Sequence, residues 1–144
     1  MNDFVEARIL SAIRKLLTFR VNEILRDWEI LIPVIEFGGF ESRFAVAPVV
    51  SLSSCERTEK ERIILLDAYT VSITFTLQEH EDGELYCYAY SGAVGRAIFD
   101  DPTLGGIADR AEITGKKYIP PKKPHCGEGW GVVLTLRVTI ENER

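Results

Sequence analysis

Two histidines and three cysteines bound the chemistry this chain can carry. His125 and Cys126 are adjacent, the one place where a thiol and a base meet in sequence. Nucleophilic catalysis needs the nucleophile within reach of its base. Neighbours in an extended segment point to opposite faces, so His125 is poorly placed to activate Cys126. Pro124 and Gly127 flank the pair and favour a loop. His80 and Cys87 stand seven residues apart across the start of an expected helix. Neither spacing is a metal-ligand pattern. The carboxylate pairs are Glu81-Asp82 and Asp100-Asp101. Asp100-Asp101-Pro102 falls where a helix should end, which opposes the helix dipole but suits a turn. Gly105-Gly106 is too short to cradle a phosphate, and neither GxxxxGK[ST] nor GxSxG occurs. The expectation is a protein that is not an enzyme, with no catalytic residue, cofactor or metal.

Composition agrees with an ordinary globule. The chain has 144 residues, 46% hydrophobic and 27% charged, which suits one α+β domain over residues 1–144. A net charge of −5 disfavours whole-surface binding to nucleic acid and leaves only a local basic loop for it. No apolar run reaches the roughly 18 residues a membrane span requires, and the acidic start Met1–Glu6 lacks the pattern of a signal peptide. Three dispersed cysteines without a CxxC do not make a disulfide framework and fit a reducing compartment.

The elements that would hold these residues follow from periodicity. Asp3 and Glu6 form an Asp variant of a capping box. Leu10, Ile13, Leu17, Val21, Ile24 and Trp28, with Ile9 and Leu16, make an apolar stripe, so a helix is expected over about 3–28, before Pro33. Residues 33–48, with Gly38-Gly39 and Pro48, have no period and are expected to be a long loop. Val49–Cys55 is a short strand, and Glu56–Arg62 a charged connector. Tyr69, Val71, Ile73, Phe75 and Leu77 alternate with Thr70, Ser72, Thr74, Thr76 and Gln78, which defines a strand apolar on one face. Ile63–Leu66 either extend it or bulge.

His80–Gly83 turns the chain into a second helix over about 84–99, whose apolar face is Tyr86, Ala89, Tyr90, Ala93, Val94, Ala97 and Ile98. Gly92 and Gly95 each cost about 1 kcal/mol relative to alanine in a helix, which close packing would offset. A strand is expected over 109–119. The last strand carries Val132, Leu134, Leu136, Val138 and Ile140 on one face and Val133, Thr135, Arg137, Thr139 and Glu141 on the other. The expected fold is α+β: a two-layer sandwich of order α-β-β-α-β-β, two helices covering one face of a mainly antiparallel sheet of about four strands.

Surface candidates sit in two expected loops, 33–48 and 115–128. Phe37, Phe40 and Phe44 in the first suit either a partner surface or the core. Lys116, Lys117, Lys122 and Lys123 surround Tyr118 in the second, either as a solvated hairpin arm or as phosphate contacts.

Two local features carry a family resemblance across most of the chain. One is Ala47-Pro48-Val49-Val50-Ser51-Leu52 entering the first strand. The other runs from Tyr88-Ala89-Tyr90 through Phe99-Asp100-Asp101-Pro102-Thr103-Leu104-Gly105-Gly106 into Ile107. With the α-β-β-α-β-β order, these make the sequence resemble tail-terminator or tail-completion (minor tail) proteins of tailed bacteriophages. The resemblance implies a structural phage or prophage virion protein, assembled in the bacterial host cytoplasm. Such a protein caps or completes the tail tube, often as a hexameric ring, and offers a surface for head–tail joining. Its implied partners are further copies of itself, the tail-tube protein and a head–tail connector protein. It implies no active-site residues, and it points to Phe37, Phe40, Phe44, Lys116, Lys117, Tyr118, Lys122 and Lys123 as subunit or tube contacts. A small ferredoxin-like α+β enzyme or ligand-binding domain is the alternative, since such scaffolds host many functions.

Overall fold

The structure, a computed structural model, describes residues 4–37, 45–123 and 127–143. The chain opens with α1, Val5–Lys15, which runs without a break through a π-helical stretch, Leu16–Val21, into α2, Asn22–Asp27. Sequence explains the π stretch. Ile9, Ile13, Leu17, Val21 and Leu25 recur at every fourth position, and all are buried. An α-helix repeats every ~3.6 residues, so this spacing would wind the stripe around the cylinder. Local i→i+5 bonding unwinds the helix and keeps the stripe on one side.

Phe4, extended at φ −66° and ψ 137°, holds the N-cap position. The Asp3 side chain expected to cap this helix lies outside the described residues. At the other end Ile30 N–H donates to the Leu25 carbonyl at 3.3 Å while Glu29 takes φ 57°. This is a Schellman-type stop with glutamate where glycine usually stands.

Four strands form one antiparallel sheet in the order β3-β4-β6-β5. They are β3, Val49–Glu61; β4, Ile64–Gln78; β5, Arg110–Ile119; and β6, Glu128–Glu143. Helix α3, Gly83–Asp100, connects β4 to β5. A two-residue parallel pair, β1 at Val34–Ile35 and β2 at Ala45–Val46, sits within the expected first loop. Val71, Ile73, Phe75 and Leu77 of β4 and Val132, Leu134, Leu136 and Val138 of β6 share one core with the buried stripe of the first helix and the inner face of α3. Phe75 stacks on Tyr90 at 4.7 Å and 9° at its centre.

Two expectations need correction. Glu56–Glu61 is not a charged connector but the outer half of β3, paired with β4 from Ala68 to Ile64. Charges are tolerated there because an edge strand is solvated, and Arg57 lies opposite the buried Asp67. The second loop is shorter than 115–128, because Lys116–Ile119 complete β5 and β6 begins at Glu128. The closing turn after α3 is built on left-handed backbone: Leu104 at φ 51°, Gly105 at 72° and Gly106 at 92°. Leu104 is buried, which fixes the turn against the core.

Candidate functional site

Several of the groups that could do chemistry are engaged in structure, while Cys55 is a free, exposed thiol on β3. The His80 ring accepts a hydrogen bond at Nδ1 from Asp82 N–H at 2.9 Å and packs on Tyr86 at 4.9 Å, which closes the turn before α3. Cys87 is buried, and that burial pushes its thiol up to about 11, so it stays a neutral thiol near pH 7. Asp100 receives Arg20 at 2.9 Å and Arg96 at 3.2 Å, and these hydrogen bonds hold its carboxyl below the usual range. It ties the first helix to α3. Asp101 accepts from Gly105 N–H and from the Thr103 hydroxyl, capping the left-handed turn. His125 and Cys126 lie outside the described residues. No group of three or more histidine, cysteine or carboxylate residues suited to a metal occurs among the described residues.

The expected contact residues do not form one patch. Phe37 is half-buried against the core, with the Arg14 guanidinium 6.0 Å from its ring centre. Phe40 and Phe44 lie outside the described residues. Lys116 and Tyr118 pair with Leu134 and Val132 on the core side of the sheet, whereas Lys117 pairs with Val133 on the opposite side. Tyr118 is a structural tether: its hydroxyl shares a hydrogen bond with Ser91 Oγ at 2.9 Å, and its ring meets Tyr88 edge-on at 5.2 Å. Lys122 and Lys123 are exposed past the end of β5.

The feature that sequence did not foretell is the extent of the surface opposite the core. Cross-strand register aligns Ser51, Ser72, Thr135 and Gly115 in one row across all four strands. The next rows are Val49, Thr74, Val133 and Lys117, and Ser54, Thr70, Arg137 and Glu112. This face is hydroxyl-rich and its central row carries no charge; Lys117 stands on one neighbouring row and the oppositely charged Arg137 and Glu112 face each other on the other. Val49 is 63% exposed there. The distal hairpin is held by Asp67, nearly fully buried, which accepts from Arg57 Nε at 2.6 Å, from Arg57 Nη2 at 2.8 Å and from Asn142 Nδ2 at 2.7 Å. The Arg57 bonds keep its carboxyl below the usual range. The only signal for this pair was the Arg57–Asp67 separation across a hairpin whose first arm had looked like a loop.

Neither a protein-family model nor a curated protein matches the chain.

Proposed function

We propose that this chain is a non-enzymatic structural protein of a phage or prophage tail, which caps or completes the tail tube and mediates tail assembly or head–tail joining. The reading takes the fold as a two-layer sandwich of order α-β-β-α-β-β, with two helices on one face of the sheet. The observation that supports it best is the hydroxyl-rich face of β3-β4-β6-β5, broad and low in central charge, which suits contact with protein rather than turnover of a small molecule. The engagement of His80, Cys87, Asp100 and Asp101 in turns, core and helix tethers is consistent with it. On this reading the protein belongs to the virion tail and assembles in the host cytoplasm. Its partners are further copies in a ring, a hexamer by resemblance, together with the tail-tube protein and a head–tail connector.

The test is binding to purified tail tubes followed by electron microscopy. Added protein is expected to appear at tube ends and to stop tube growth. Tubes that elongate with bare ends in its presence count against the reading.

A further inference from the structure

We propose that the outer edge of β5 is the place where a second copy of this chain adds its β3, extending the sheet head to tail. The identity of the occupant rests on the assembly reading; the place rests on geometry.

Strand β5 ends the sheet, with β6 as its one strand neighbour among the described residues. Ala111 N–H donates to the Pro102 carbonyl at 2.6 Å, which covers the first part of the edge. From Ile113 onward the strand has no such cover among the described residues. An unpaired edge is a template for an incoming strand. Beside it lies a groove of about 560 Å³ between β5 and the end of α3, its apolar wall Ile98, Phe99, Pro102 and Ile113 and its charged lining Asp109, Arg110, Glu112 and Lys116. Phe99 is 79% exposed on its rim. A strand added to β5 would send alternate side chains toward this groove, the arrangement by which β-addition gains both backbone bonds and side-chain pockets.

Charge selects the occupant. On β5, Arg110 is engaged with Glu112 at 3.3 Å, which leaves Lys116 and Lys117 to set the sign of the edge. On β3, the other end of the sheet, Arg57 is engaged by Asp67 and Lys60 by Glu141, which leaves the exposed Glu56 and Glu61. Pairing β5 with β5, or β3 with β3, brings edges of like sign together; pairing β3 with β5 brings edges of opposite sign together. Successive antiparallel pairings give β3 and β5 opposite directions. A second copy of the same polarity therefore continues the antiparallel pattern. Such an interface is heterologous, so repetition closes a ring or grows a filament.

Sedimentation velocity of the full chain over a concentration series tests this, with circular-dichroism melts to check folding. The variants are Lys116→Glu with Lys117→Glu, Glu56→Lys with Glu61→Lys, all four together, and Phe99→Glu. Each charge-reversed pair and Phe99→Glu are expected to weaken self-association about tenfold or more, and the fourfold variant to restore it. Oligomers that persist unchanged in every variant, or a fourfold variant that stays dissociated, overturn the edge assignment and leave the assembly reading standing. A wild-type monomer that still caps tail tubes overturns this inference alone; one that also leaves tubes bare overturns both.

Discussion

Single residues carry two of the sharpest constraints. Gly129 has no room for a side chain: an added Cβ would sit 2.4 Å from the Gln78 carbonyl oxygen and 2.5 Å from that of Leu77. These atoms belong to backbone at the irregular end of the β4–β6 ladder, between Thr76 and Gln78, so they cannot swing aside. Gly129→Ala is expected to destabilise the protein by about 1–3 kcal/mol, the range for forced overpacking, read as a lowered urea midpoint. Asp67 gives a pH signature. Its carboxyl is depressed in the folded state by the hydrogen bonds from Arg57, with a further contribution from Asn142. Its stabilisation is therefore complete above the unfolded carboxylate value of about 3.9 and is lost as pH falls below that, through the depressed folded value. Asp67→Asn should lower the melting temperature at pH 7, consistent with about 1–3 kcal/mol for bonds to a charged group. The gap between variant and wild type should close in melts at strongly acidic pH. A constant gap would place the effect in packing instead.

Elements show where the sequence was legible. The alternation in 69–77 and 132–140 fixed two central strands because each buries one face in the core, and burial enforces a period of two. The apolar run in α3 located that helix for the same reason. Glu56–Glu61 was missed because an edge strand buries little, so its order comes from pairing with β4 and from Arg57–Asp67, neither of which leaves a periodic trace. The π stretch was legible only in the strict fourfold spacing of Ile9 to Leu25. Close packing at the two α3 glycines was expected to offset their helical cost, but the contacts are ordinary. An added Cβ at Gly92 would lie 3.5 Å from the Trp28 ring, and at Gly95 3.8 Å from Ile113 Cδ1. Gly92→Ala and Gly95→Ala should therefore each stabilise the fold by roughly 0.5–1 kcal/mol. Glu29→Gly should add about 1 kcal/mol by relieving left-handed backbone at the end of α2. Thermal melts of the three variants check both statements, and a lowered melting temperature at Gly92 would show that Trp28 cannot yield.

At the scale of the whole molecule, function was less legible than fold. No residue pattern named a reaction, and the candidate contacts chosen by type were scattered by the register. Tyr118 turned inward to Ser91, and Lys116 and Lys117 were split between opposite faces. A sheet surface is assembled from residues distant in sequence, so the Ser51–Ser72–Thr135–Gly115 row becomes visible only when four strands are aligned. What emerges is a molecule with two strand edges of opposite sign, a groove beside one of them and a broad hydroxyl-rich face, features that fit the proposed building with copies of itself. Light scattering of the purified full chain across a wide concentration range tests that claim most directly. The account expects a discrete assembly whose mass is a whole multiple of one chain and stays fixed over the upper part of the range. A mass of one chain at every concentration would contradict it.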